Sequence, residues 1–441
     1  MNHLLPPETQ ERRRLHDEIH ARPVGRVSHP AAVLCIALLN DNVSRSVELS
    51  HLRGLVGDEP LAQAVSGNFL RLPLQAGEIK WERHTEFTRY TIILPLPQDV
   101  FAQNQLDHAA SVERIETVFE PFASWCQRIP GEVIAALQVT VLADSCLDID
   151  RCASLASHWF AGSTVLASWV GNGKHSLVFT DFRVPQDGVE RVLVLTKPDT
   201  PASRVGRTVQ RLLEIEIYRL MALRALPQAK ALSSRLTQAE DELASMSRAV
   251  ESASGDDQAL LAQLAGLASS IERAHADHNY RFAATFAYHD IVGQRIRELR
   301  ESPVTGVQTI GEFMQHRLAP AMATVVAADK RLDSLSQRIG RVSDLLRTRV
   351  DVVTEQQNQQ LLEQLTRGQA LQLKLQQTVE GLSIAAISYY VVSLVYYLAK
   401  AAKTAGLVSI TPDVVAGVAI LPTVVGVWQV VRRIHRSIAK H

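Results

Sequence analysis

Two histidines and a glutamate near the start of the chain are the residues best spaced for chemistry. His16 and His20 lie four apart, so on a helix they share one face, with Glu18 off it. The pattern is His-x-Glu-x-His. Zinc proteases use His-Glu-x-x-His, where the glutamate must stand beside the metal-bound water. A metal held here needs more ligands, and His84 with Glu86, on a candidate strand, could supply them. Arg22 and Arg89 offer a different chemistry, because guanidinium forks bind carboxylate and phosphate oxygens. They make the same cluster a candidate anion or substrate site. A third reading is a polar network that ties the N-terminal segment to a sheet.

A second set lies near the C-terminal end. Tyr389, Ser393, Tyr396 and Lys400 fall on one helical stripe inside an apolar segment. Hydroxyls at that depth are costly in lipid, so the stripe either packs against another helix or lines a pore. Other motifs fall away. Glu272-Arg273-Ala274-His275 has the spacing of di-iron bundles but no second copy. Gly171-Asn172-Gly173-Lys174 is not a phosphate loop, because Ser168 replaces the first glycine and a strand follows. No dinucleotide fingerprint and no nucleophile elbow occur. Catalysis is left open with the weight against it, and no cofactor is assigned.

These residues need elements to position them. The chain has 441 residues, 46% hydrophobic and 21% charged, with 46 basic residues against 46 acidic ones. That is too long for one ordinary core. The neutral balance argues against a nucleic-acid partner. Cys35, Cys126, Cys146 and Cys152 form no C-x-x-C pair, so reduced, structural thiols are expected. Met1 to Glu8 lacks the pattern of a signal peptide.

The expected fold is an α/β N-terminal cytoplasmic domain, then a long α-helical stalk or coiled coil, then a two-helix transmembrane hairpin. Strands are predicted at Ala31–Leu39, Phe69–Leu74, Glu78–His84, Thr88–Leu94, Val133–Leu142, Val165–Val170, Ser176–Phe182 and Val189–Leu195. Helices are predicted at Ser44–Leu55, Ser111–Gln127 and Ile149–Trp159. Turn signals at Gly171-Asn172-Gly173 and Gln186-Asp187-Gly188 imply hairpins.

The predicted divisions are the α/β domain over 1–200, a helical hairpin over 201–305 and a stalk helix over 306–380. Membrane helices follow at 381–399 and 414–431, joined by an external loop at 400–413 and ended by a basic tail at 432–441. Each apolar segment is charge-free and near the lower length limit for a span. Arg432, Arg433, Arg436 and Lys440 put the tail inside by the positive-inside bias, so both termini are expected in the cytoplasm. Leu332, Leu335, Ile339, Val342, Leu345 and Leu346 form a stripe on the stalk that calls for a partner, a second copy of the chain by preference, or else the preceding hairpin, Ala231–Arg300, of the same chain.

The run Leu15-His16-Asp17-Glu18-Ile19-His20-Ala21-Arg22-Pro23 resembles the hallmark of a bacterial family of membrane-anchored proteins, the domain-of-unknown-function family thirty-four twenty-two. Glu86-Phe87-Thr88-Arg89-Tyr90 resembles it too, as do Gln210-Arg211-Leu212-Leu213-Glu214-Ile215-Glu216 with Tyr218-Arg219. Leu345-Leu346-Arg347-Thr348-Arg349-Val350 and Gln377-Thr378-Val379-Glu380-Gly381-Leu382-Ser383 carry the resemblance to the far end. It implies membrane anchoring and no particular activity.

The overall build is also similar to that of CorA-type channels. That family ends its first membrane helix in Gly-Met-Asn, and this chain reads Tyr397-Leu398-Ala399-Lys400. The resemblance therefore implies a channel or transporter that is not magnesium-selective.

The first expectation for function is an oligomeric scaffold or regulatory module in the bacterial inner membrane. Its cytoplasmic domain binds a partner that the sequence does not name. The alternatives are the CorA-like channel and a membrane-tethered enzyme that uses His16, Glu18 and His20. The expected partners are the lipid bilayer and further copies of the chain; no small molecule is identified.

Overall fold

The structure is a computed structural model. It describes residues 9, 11–12, 15, 25–62, 67–97, 115, 117–252, 256–407 and 409–438. The chain divides into two compact units. One is Met1–Ser254 with Ala262–Arg341, and the other is Gly255–Leu261 with Val342–His441.

The first unit is built on a nine-stranded sheet. In chain order its strands are β1 (Ala31–Leu39), β2 (Phe69–Leu74), β3 (Gly77–Arg83), β4 (Phe87–Pro95), β5 (Glu132–Ala143), β6 (Leu166–Val170), β7 (Ser176–Thr180), β8 (Glu190–Thr196) and β9 (Ser302–Pro303). Their spatial order is β2-β3-β4-β1-β5-β8-β7-β6-β9. Every pairing is antiparallel except that of β5 with β8. The first eight strands fall where alternation and turn residues predict them. The parallel pairing does not follow from local pattern, because it depends on the chain between β5 and β8 leaving the sheet edge and returning.

Alternation along the central strands sorts the side chains onto two faces. One face carries Leu34, Ile79, Trp81, Tyr90, Ile92, Leu177, Phe179 and Leu193. Short helices cover it: α1 (Arg45–Val56) with Leu52, α3 (Glu120–Cys126) with Trp125, and α4 (Ile149–Trp159) with Leu155 and Trp159. A further short helix, α2, spans Asp58–Ala62. Side-chain caps start α1 and α4. Ser44 Oγ accepts from the Val47 amide at 3.4 Å, and Asp148 Oδ1 accepts from Arg151 at 3.0 Å. Of the predicted helix from Ser111, Ile115 and the residues from Thr117 onward are described. There a 3-10 turn, Thr117–Phe119, leads into α3.

The other face is covered by α5 (Ala202–Leu223), which packs along β5. Its Gly206 lies against the backbone of Gly25, where a β-carbon would collide with the Gly25 carbonyl. That close approach is the reason for a glycine in a helix interior. α5 is buried on a second side too, because α7 (Asp257–Leu299) packs against it. Arg211 of α5 bonds Glu298 of α7 at 3.2 Å, and Arg295 of α7 bonds Glu214 of α5.

α6 (Ala225–Ser252) follows α5, and α8 (Ile310–Thr404) runs through both units. Three helices thus lie between 202 and 299, where the sequence suggests one hairpin.

Of the two covers the sequence allows for the Leu332–Leu346 stripe, a second copy of the chain or the preceding hairpin, the structure supplies the second for its first part. Leu332, Leu335 and Ile339 are 0%, 1% and 2% exposed within the first unit. Leu236, Leu243, Leu264 and Leu267 of α6 and α7 are buried likewise. Arg331 bonds Glu240 at 2.8 Å and His275 lies 3.6 Å from Asp333, so the three helices are bound together. Within the first unit the stripe is covered by the chain's own helices, whereas Leu345, further along it, is 66% exposed.

In the second unit Arg349 pairs with Asp257 at 3.2 Å. From 351 to 379 every residue of α8 is exposed. α9 (Pro412–Ile438) follows it. α8 and α9 are each long and apolar enough to cross a membrane, and their apolar windows are 6% and 0% buried. A soluble core helix of that composition would be mostly buried.

Candidate functional site

His16, Glu18, His20 and Arg22 lie outside the described residues. His84 and Glu86 sit at the turn between β3 and β4. The His84 ring stacks on Phe87, with centroids 4.4 Å apart. Glu86 is 5% exposed, and its carboxylate is engaged by α7. Arg281 Nη1 and Nη2 each lie 2.8 Å from one of its oxygens, and Tyr288 donates its hydroxyl at 2.7 Å. Burial pushes the Glu86 carboxyl up, but these donors more than offset it and hold the group below the usual carboxylate range. Among the described residues no group of three or more histidines, cysteines or acids is arranged to hold a metal ion.

Arg89 faces α5. Its Nε donates to Glu82 Oε2 at 2.8 Å, and Nη2 reaches the same oxygen. Glu82 and Arg89 are register partners in the β3–β4 ladder, so strand alternation puts both on the face covered by α5. They border a hollow of about 30 Å³, shared with Lys80 and Thr91. That is room for about one water molecule.

Of the C-terminal stripe, Ser393 and Tyr396 are half-buried, Lys400 is exposed and Tyr389 is 71% exposed. The four do not share one environment. Ser388 is the buried hydroxyl of this segment, at 5% exposure.

Two arrangements were not singled out from the sequence. The first joins β8 to α5. Glu190 and Glu216 are 4% and 0% exposed and hydrogen-bond to each other, with Arg219 bonded to Glu216 and 3.8 Å from Glu190. Burial and the neighbouring Glu216 charge push the Glu190 carboxyl up to about 8. The pair therefore shares a proton at neutral pH.

The second is an open cavity of about 300 Å³ between the N-terminal half of α5, the β6–β7 turn and the end of α7. Arg204, Arg207 and Arg211 enter it from α5, and Arg300 enters from the residue after α7. The one acidic residue of its lining, Glu298, is already held by Arg211 and Arg295. His175, 8% exposed, forms part of the wall and lies 2.8 Å from Ser176 Oγ through Nδ1. Its ring crosses so close to Gly171 that a β-carbon there would collide, and Gly171 has a φ of 77°. Burial holds the His175 ring below its usual pKa, and Arg204, Lys197 and Arg207 push it further the same way. The i, i+3, i+7 spacing of the three α5 arginines was legible as one helix face. Arg300 and His175 come to it from far along the chain.

The fold and these sites define an α/β sheet domain joined to long helices that end in two apolar, membrane-length segments. A family model, "Protein of unknown function (DUF3422)", matches residues 7–438, and the chain belongs to that family. No curated protein and no solved structure matches the chain. The similarity to CorA-type channels therefore rests on sequence architecture alone.

Proposed function

We propose that this protein is a membrane-anchored, self-associating module whose sheet domain binds a partner in the cytoplasm. One observation carries the reading: the apolar windows of α8 and α9 have almost no protein cover. Surface of that kind needs lipid or another protein around it. Ala399 and Ala416 with Gly417 and Gly426 are small residues of the sort that let membrane helices approach.

Self-association has its own support. From Leu361, alternating steps of four and three residues reach Leu365, Gly368, Gln372, Leu375, Val379 and Leu382. All but Gly368 and Gln372 are apolar, and the apolar ones are 56% to 67% exposed. That spacing is the seam of a coiled coil.

Orientation follows from the basic residues at the end of the chain, Arg432, Arg433 and Arg436 in the last turns of α9 and Lys440 beyond it, which favour the cytoplasm, with the link at 405–411 outside. The test is labelling of a Ser409→Cys variant in intact cells with a membrane-impermeant maleimide. Labelling of Ser409→Cys, with none of the native cysteines until lysis, is the expected result. Extraction of the protein by alkaline carbonate would defeat the membrane reading.

A further inference from the structure

We propose that the arginine-lined cavity beside α5 is a binding site for a small phosphate-bearing anion. The inference rests on the binding role given above to the sheet domain and names the ligand chemistry.

The charge balance is the first argument. Arg204, Arg207, Arg211 and Arg300 converge on one space, and its single carboxylate, Glu298, already serves Arg211 and Arg295. Arg204, Arg207 and Arg300 have no ion pair among the described residues. Surface arginines normally spread apart or pair with acids. Three guanidinium groups without an ion pair among the described residues, lining one concavity, are a geometry for a polyvalent oxyanion, because each planar fork can give two parallel N–H donors to phosphate oxygens.

Shape and surroundings add two further arguments. The volume, about 300 Å³, stands at the lower end of small-molecule sites. Neutral hydrogen-bonding groups, Asn172 and Thr208, line it beside the arginines. Lys174 and the turn Gly171–Lys174 adjoin it on the outer side, together with Glu301, whose carboxylate accepts from Ser168 Oγ and the Gly311 amide. This turn is no phosphate loop, so recognition comes from side chains rather than from a run of backbone amides. His175 reports the field independently. It is buried in the wall, and the cations around it disfavour its protonated form. An anion in the cavity would relieve that field. The groups facing His175 are Arg204 and Arg207 from α5, Lys197 after β8 and the Ser176 hydroxyl.

The experiment is calorimetric titration of the full-length protein, in detergent at low salt, with inorganic pyrophosphate. Saturable binding is expected. An Arg204→Ala/Arg207→Ala variant should lose about tenfold in affinity for each charge-assisted contact removed. Arg204→Lys/Arg207→Lys should retain part of it, and Arg235→Ala on α6 should be unchanged. Unfolding temperatures of all variants establish that they fold. Competition by phosphatidic acid in the micelles would assign the same site to a lipid headgroup, while competition by inorganic phosphate alone would assign it to a soluble ligand. The site is overturned if neither pyrophosphate nor phosphatidic acid binds saturably, or if the double alanine variant binds as tightly as the native chain. None of these readouts depends on whether α8 and α9 cross a bilayer, so failure of the site and failure of the anchor are separate results.

Discussion

Glu86 and Arg281, 195 residues apart, meet in a two-point ion pair with both N–O distances at 2.8 Å. The pair joins the β3–β4 turn to the middle of α7. Tyr288 donates to the same carboxylate, and its ring stacks on Tyr218 of α5, 5.6 Å between centroids. Sheet and α7 are thus held by a nearly buried ion pair, and α5 joins them through a half-buried tyrosine stack.

Removing one partner of such a pair strands the other. Arg281→Ala should destabilise the sheet domain by about 3–5 kcal/mol, because Glu86 is left charged without its counterion. Arg281→Ala with Glu86→Gln should recover part of that loss. Glu86 has a depressed folded-state pKa, so the pair's contribution is present above the usual carboxylate value. It is lost as pH falls through the folded value. Denaturant unfolding of the two variants at neutral and acid pH checks this; equal stability of Arg281→Ala and the native chain at neutral pH would refute it.

Glu190 predicts the opposite pH trend. Its carboxyl is raised from the ordinary 4.5 to about 8, so the folded state holds a proton that the unfolded chain has released. Stability should therefore fall as pH rises from about 4.5 to about 8 and level off beyond. Glu190→Gln removes this term. Its melting temperature should gain on the native protein across that window, and a constant difference at all pH values would contradict the shared-proton description.

Gly206 is predicted to tolerate no side chain. A methyl group there meets the Gly25 carbonyl, which is backbone and has no rotamer to escape into. Gly206→Ala should lower stability by about 1–3 kcal/mol, the usual cost of overpacking, although alanine is the better helix former. Gly266→Ala on α7 has open space around it and serves as the control. If both substitutions stabilise, α5 does not approach residues 25 and 26 as described.

The exposed seam on α8 gives a prediction for assembly. Leu361→Glu with Leu365→Glu puts charge where a second helix would pack. Light scattering in mild detergent should show the native chain as an oligomer and the variant with a smaller mass. A native monomer, or a variant of unchanged mass, would leave the seam without its proposed partner.

Much of this fold could be read directly from the chain. Period-two runs and their turn residues located eight strands, because alternation and turn conformation are local properties. The two charge-free segments near the end were visible for the same reason, since length and composition alone decide whether a helix suits lipid. Contacts between distant segments were not visible. Glu86 appeared as a possible metal ligand until the tertiary structure supplied Arg281 and Tyr288. The first part of the α8 stripe, Leu332 to Ile339, calls for a partner that the sequence does not decide, and α6 and α7 supply it. The arginine cavity joins three α5 residues, legible by their spacing, to His175 and Arg300, which are not. Periodicity tells which face of an element is apolar or charged; only the packed chain decides what that face meets, because partner choice depends on close fit and charge pairing between elements far apart in sequence.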